Sequence, residues 1–172
     1  KSIPFEDILI IKLREKYIGK VLNKKGIVAS IKSLIVTGNF IVEIEGIINV
    51  EYLVELIVFN PTNGDILIGF IESCNSSGIL VNCDICKVFI DKSKLPDNSN
   101  FVEMSSTWFW DLGDNRFYYD KGEKVKVKIV DVVYREFVEE KNIIKDIDNN
   151  NRNSDEIMII NGSFNQSGLG PI

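Results

Sequence analysis

The sequence predicts an α+β chain in two parts: a helix-plus-antiparallel-sheet domain over residues 1–60, then a five-stranded β-barrel over residues 61–172. Three observations predict it. Phe5, Ile8, Leu9, Leu13, Tyr17, Ile18, Val21 and Leu22 fall near i, i+3, i+4 spacing, the mark of an amphipathic helix over residues 3–22. The cluster Asn60-Pro61-Thr62-Asn63-Gly64 is dense in residues that break regular structure and sets the boundary. Beyond it lie five segments of strand character, spaced as in a small barrel of the OB type, which holds single-stranded nucleic acid against one face.

Each element has a local cause. Ser2 can cap the helix, and Pro4 in the first turn costs little because that N–H is unpaired in any case. Gly26 after Lys24-Lys25 marks a helix end. Ile27 to Val36 and Asn39 to Ile44 read as strands joined at Thr37-Gly38-Asn39, and Tyr52 to Phe59 as a third. The barrel strands are expected at Gly64–Cys74, Gly78–Asn82, Lys87–Ile90, Val125–Val133 and Ile157–Phe164. Between the third and fourth lies an insertion, residues 91–122, holding Phe101, Trp108, Phe109, Trp110, Phe117, Tyr118 and Tyr119. So aromatic a segment is expected to pack as a lid or short helix against the barrel. Residues 139–156 are polar and Asn-rich, with too little apolar surface to order themselves, and read as a mobile loop.

Bulk properties exclude several classes. A chain of 172 residues buries roughly 70% of its unfolded surface and needs no covalent staple. No apolar run approaches the ~20 residues of a membrane helix, since Phe5 to Leu13 is interrupted by Glu6, Asp7 and Lys12; no membrane partner is expected. No secretory signal pattern is visible. Three cysteines, Cys74, Cys83 and Cys86, do not make a disulfide framework and suit a reducing compartment. Cys83-Asp84-Ile85-Cys86 has the spacing of half a zinc site, but the chain has no His and no second C-x-x-C. No metal and no cofactor are therefore expected. The lack of His also removes the usual general base and the Ser–His and Cys–His pairs, and phosphate-binding glycine motifs are absent. Asp111, Asp114 and Asp120 read as a solvated turn, and Glu43 and Glu45 as an exposed strand face. No catalytic residue is assigned, and the chain is expected not to be an enzyme.

Binding residues are easier to nominate. Lys124, Lys126 and Lys128 alternate with Val125, Val127 and Ile129, so the lysines share one strand face. That row either tracks a phosphate backbone or is simply the wet face of a half-buried strand. Lys87, Lys92 and Lys94 flank Phe89 on and after the third barrel strand, the basic-plus-aromatic composition of base stacking and phosphate contact, unless Phe89 is core. The net charge of −5 argues against strong autonomous nucleic-acid binding and allows a weak local contact.

The order of parts resembles the larger stalk subunit of eukaryotic and archaeal RNA polymerases. The resemblance rests on Val58-Phe59-Asn60-Pro61 closing the first part and Gly64-Asp65-Ile66-Leu67-Ile68-Gly69 opening the barrel. Trp108-Phe109-Trp110 with Tyr118 to Glu123, Val127 to Asp131, and the ending Asn161-Gly162-Ser163-Phe164 with Ser167-Gly168-Leu169-Gly170 look like the RNA polymerase III version. The family's opening β-strand has no counterpart here, and Glu45-Gly46 stands where a Pro-Gly-x-Gly element is usual. The resemblance implies a nuclear, non-catalytic subunit with a truncated RNP-like first domain. That domain would pair with the small stalk subunit and dock on the RNA polymerase III core, and the barrel would meet initiation factors and, weakly, nascent single-stranded RNA. It nominates Phe5, Glu45, Gly46, Phe59, Pro61 and Leu169 for partner contacts. The alternatives are the polymerase II counterpart and a free-standing RNA-binding barrel.

Overall fold

The computed structural model describes residues 4–22, 24–38, 41–42, 48–137 and 155–172. The chain falls into two compact units, Lys1–Asn60 and Pro61–Ile172.

In the first unit, helix α1 spans Phe5–Tyr17, with Glu6 and Asp7 in its first turn and Arg14 and Lys16 in its last, each charge opposing the helix dipole. The sequence reading carried this helix to residue 22. It stops earlier because Ile18 turns extended and Gly19 takes a φ of +77°, a left-handed conformation glycine adopts without strain. Residues 19–22 instead run back along β1 (Ile27–Val36): Gly19 N–H donates to the Val28 carbonyl at 2.9 Å and Val21 bridges Ile27. Gly26 makes the return possible, since a Cβ there would collide with the Phe59 carbonyl oxygen. Strands β2 (Ile41–Val42) and β3 (Ile48–Asn49) pair as a small ribbon, and β1 pairs antiparallel with β4 (Tyr52–Phe59). The rest of the expected Asn39–Ile44 strand, with Glu43, lies outside the described residues. Leu13 and Val28 are buried, and the Tyr17 and Tyr52 hydroxyls meet at 3.4 Å.

The second unit begins with the meander β5 (Ile66–Asn75), β6 (Gly78–Asn82) and β7 (Lys87–Asp91). A 3₁₀ turn at Lys92–Lys94 leads to β8 (Ser99–Val102), β9 (Thr107–Asp111) and β10 (Arg116–Tyr119). The chain then returns as β11 (Lys124–Phe137), β12 (Asp155–Ser163) and the short β13 (Gly170–Pro171). Five strands close into a barrel. The β5–β6–β7 meander is antiparallel, β12 lies parallel to β7, and β11 pairs antiparallel with both β12 and β5. Period-two alternation turns Ile71, Ile79, Val81, Val88, Ile90, Val125, Val127, Ile129 and Ile160 inward, each at most 1% exposed. Gly162 leaves room for that filling, because a Cβ there would press into the Val127 and Val88 side chains.

The insertion differs from the lid or short helix expected. Its only helical residues among those described are the single 3₁₀ turn; the rest is a three-stranded antiparallel sheet, β8–β9–β10. The cause is local. Trp108-Phe109-Trp110 and Phe117-Tyr118-Tyr119 are strong strand formers flanking a turn in which Gly113 takes a φ of +84°. Replacing Ile90 by Ala should therefore lower barrel stability by about 2–5 kcal/mol, whereas Ile68→Ala, at an outward position, should cost within about 0.5 kcal/mol. Urea unfolding followed by tryptophan fluorescence reads both, since Trp108 and Trp110 belong to this unit.

Candidate nucleic-acid interface

Three lysines of β11 point outward while Val125, Val127 and Ile129 fill the barrel. Cross-strand pairing places Lys124 opposite Phe70, Lys126 opposite Ile68 and Lys128 opposite Ile66. Opposed residues of an antiparallel pair share a face, so a cationic row runs beside an apolar one. Ile66, Ile68 and Phe70 are each about half exposed. Lys128 Nζ donates to Gln166 Oε1 at 3.0 Å, which steadies that end of the row. Sequence reasoning missed the apolar row. Ile66-Leu67-Ile68 and Phe70-Ile71 are apolar on both faces, so nothing in their pattern separates the outward residues from the inward ones.

Lys87 and Phe89 lie on a different strand. β7 is parted from β11 by β5 and β6 on one side and by β12 on the other. Phe89 is not core: it is half-buried on the outer face between Leu80 and Asn161, its ring against Gly78. Lys87 is neutralised by Glu72, Nζ to Oε1 at 2.6 Å. Lys92 and Lys94 are exposed on the 3₁₀ turn, which the Asp91 carboxylate caps by accepting from Ser93 N–H at 2.9 Å. That backbone hydrogen bond holds the Asp91 carboxyl below its ordinary range. The Lys94 carbonyl accepts from Phe164 N–H and Ser163 Oγ–H, both at 3.0 Å, tying the turn to the end of β12. The predicted basic groups thus fall on two surfaces, and only the β11 row has a continuous apolar companion.

The insertion sheet has two unlike faces. Phe101, Trp108, Trp110, Phe117 and Tyr119 share one by register. Trp108 Nε1–H donates to the Asn75 carbonyl at 2.8 Å, and Tyr119 stacks on Phe164 with ring centroids 5.5 Å apart and planes 4° from parallel. Burial pushes the Tyr119 phenol up to about 12. On the other face the Arg116 guanidinium lies 5.1 Å over the Phe109 ring and 3.6 Å from Asp111. Asp111 donates its backbone N–H to the Asn98 carbonyl and its side chain accepts from Gly113 N–H, so this carboxylate serves a turn, as expected.

Cys83 and Cys86 face each other across the β6–β7 turn, where Cys83 N–H donates to the Cys86 carbonyl at 2.9 Å. The hydrogen bond between the thiols raises the Cys83 thiol and lowers that of Cys86. Among the described residues no group of three or more Cys, Asp or Glu is placed to hold a metal ion. Of the residues nominated for partners, Phe5 is exposed on α1, Phe59 is half-buried at the end of β4, Pro61 is buried and Leu169 is half-buried in the C-terminal tail. Glu45 and Gly46 lie outside the described residues.

The family model for RNA polymerase III subunit Rpc25 matches residues 65–172, the whole barrel with its insertion and tail. The chain belongs to that family. It is 23% identical over 124 residues to "DNA-directed RNA polymerase III subunit rpc8" of Dictyostelium discoideum, covering 71% of this chain and 49% of the relative. It is 26% identical over 134 residues to the rpc8 subunit of Schizosaccharomyces pombe, covering 73% of this chain and 66% of the relative. With RPC8 of Saccharomyces cerevisiae it shares 25% over 121 residues, 68% of this chain and 57% of the relative. The matched part spans 49% to 66% of the length of these curated relatives. The aromatic insertion is held to the barrel by the hydrogen bond from Trp108 to the Asn75 carbonyl.

Two outcomes follow. Trp108→Phe keeps an aromatic ring but loses the hydrogen bond and part of the buried indole volume, so it should destabilise the barrel by about 1–3 kcal/mol, whereas Trp108→Ala should cost about 3–5 kcal/mol; chemical denaturation separates them. Because Tyr119 is protonated more tightly when folded, its contribution to stability is intact below the ordinary tyrosine range near 10 and is lost as pH rises from there through about 12. An absorbance titration of tyrosinate should show a late step near pH 12, and Tyr119→Phe should remove it.

Proposed function

We propose that this chain serves as a non-catalytic stalk subunit of nuclear RNA polymerase III. The match of the Rpc25 family across the entire barrel carries the reading. In this reading the first unit pairs with the small stalk subunit and docks on the polymerase core, and the barrel contributes to initiation-factor contacts and to weak binding of nascent RNA.

Surface chemistry supports each part. The first unit exposes Ile8 and Ile11 on α1 and Ile35, Leu53 and Ile57 on its sheet. Ile35 and Leu53 are direct cross-strand neighbours, so two of these side chains form one apolar spot. Apolar surface grouped in this way suits a partner protein, with Phe5 and Phe59 at hand for the contact. No helix among the described residues is long and apolar enough to cross a membrane. On the barrel, Lys124, Lys126 and Lys128 supply phosphate contacts beside Phe70, which offers an aromatic face to a base. Lys87, Phe89, Lys92 and Lys94 form a second and weaker contact, weaker because Glu72 neutralises Lys87. Tethering to the polymerase raises the local RNA concentration, so the acidic balance of the chain is no obstacle.

Affinity capture of the tagged full-length chain with mass spectrometry tests the assignment. It should return the polymerase III core subunits and one small partner; a chain that is monodisperse alone and captures no polymerase subunit contradicts it. Single-stranded RNA affinity should fall with salt, and the triple variant Lys124→Ala, Lys126→Ala, Lys128→Ala should reduce the slope of log affinity against log salt by about 2, taking ~0.7 per phosphate contact. An unchanged slope would remove the β11 row from the RNA path.

A further inference from the structure

We infer that the insertion sheet and the C-terminal tail together form a docking site for an extended segment of a partner protein, which adds as a fourth strand to β10 and seats a bulky apolar side chain in the cavity beside it. The inference goes beyond the stalk reading and does not require it.

A cavity of about 680 Å³ lies between the inner face of the insertion sheet, the 96–98 loop and the tail 164–171. Trp110, Leu112, Phe117 and Leu169 supply apolar wall, and Leu112 and Phe117 are half exposed. The far wall is fixed before any ligand arrives. Phe164 is 1% exposed, stacked on Tyr119 and hydrogen-bonded through its N–H to the Lys94 carbonyl. The tail is pinned by Ile172 N–H to the Lys124 carbonyl at 3.0 Å, and the loop by Ser99 Oγ–H to the Pro96 carbonyl at 2.7 Å. A preformed wall lowers the ordering cost of binding.

The second observation is independent of the cavity. β10 is an edge strand, and among the described residues its only strand partner is β9. Cys74 Sγ occupies the Tyr119 carbonyl at 3.6 Å, which leaves the stretch Arg116–Tyr118 as the open edge. Such an edge is a template for a further strand. Phe117 is at once part of that edge and part of the cavity wall. A strand added there alternates its side chains, and every second one points to the side Phe117 occupies. Backbone pairing and apolar burial are thus offered to one and the same segment.

Charge selects the kind of occupant. Asp97 is the one charged residue in the cavity lining, and the unit as a whole holds twelve basic and eighteen acidic residues. Lys128 reaches the rim only through its bond to Gln166. A phosphate backbone is disfavoured beside Asp97 and finds no cation in the lining, Arg116 of the edge being paired with Asp111 at 3.6 Å, and a second copy of the same acidic unit is disfavoured by repulsion. A peptide with apolar side chains and net positive charge meets neither penalty.

The test uses the full chain and three blocked heptapeptides followed by NMR. The first alternates Leu and Thr between terminal Lys residues, the second replaces the terminal Lys by Glu, and the third replaces each Leu by Ser. The first should shift the Arg116–Tyr118 amides and the Leu112 and Leu169 methyls together and slow exchange of the β10 amides. The second should bind several-fold more weakly, and the third should not bind. Phe117→Ser and, separately, Leu112→Ser should each weaken the first peptide at least tenfold with a dispersed spectrum retained, while Lys126→Ser on β11 leaves it unchanged. Absence of binding at millimolar peptide, or equal binding of the Ser peptide, overturns the proposal. So does an RNA oligonucleotide that shifts the same residues, or a dependence of those shifts on protein concentration without peptide, which would give the site to nucleic acid or to a second copy.

Discussion

One short parallel pairing decides the second unit: Ile160 beside Val88 and Asn161 beside Phe89. Without it β5, β6, β7, β11 and β12 would form an open, curled sheet with two edges. With it they form a closed barrel whose inward positions are filled and whose outward positions are fixed in register. Closure demands a narrow passage, which Gly162 supplies between Val127 and Val88. It also brings the end of β12 to the Lys94 carbonyl, so the tail leaves the barrel under the insertion sheet rather than away from it. The lysine row, the edge strand and the cavity of the second unit take their geometry from that closure.

Among the described residues no group of three or more Cys, Asp or Glu is placed to hold a metal ion, and the chemistry described above lies in rows and edges. A lysine row beside an apolar row makes one surface, and an edge strand beside an aromatic cavity makes another. The two draw on opposite charge. The β11 row is cationic and suits phosphate, while the cavity lining has Asp97 as its one charged residue and, in our proposal, takes a peptide of net positive charge. A subunit held within a large complex has use for several such weak and distinct contacts, since tethering raises the effective concentration of each. Membership of the Rpc25 family accords with that design.

Much of the fold was legible in the sequence because the signals were local. β1 and β4 agree with the expected limits Ile27–Val36 and Tyr52–Phe59, where Ile- and Val-rich runs end at Thr37-Gly38 and Asn60-Pro61. β6 agrees with the expected Gly78–Asn82, and the outward lysines of β11 followed from alternation alone. The misreadings have a common origin in tertiary pairing. The helix was carried too far because Ile18, Val21 and Leu22 continue its spacing, yet those residues serve a return along β1 that only the fold reveals. The aromatic insertion read as a lid or short helix because clustered Trp, Phe and Tyr signal packing without saying against what. The β5 apolar row was hidden because a strand apolar on both faces carries no period. The cavity was hidden for a different reason: its walls come from segments nearly seventy residues apart.

The measurement closest to the central claim is the through-space contact across the closing pair. In the labelled full-length chain, NMR should show cross-strand backbone contacts from Val88 and Phe89 to Ile160 and Asn161, with slow amide exchange along β12 at those positions. Absent contacts, with β12 amides exchanging as fast as unstructured chain, would mean that the sheet is open and that the rows, edge and cavity described here do not coexist.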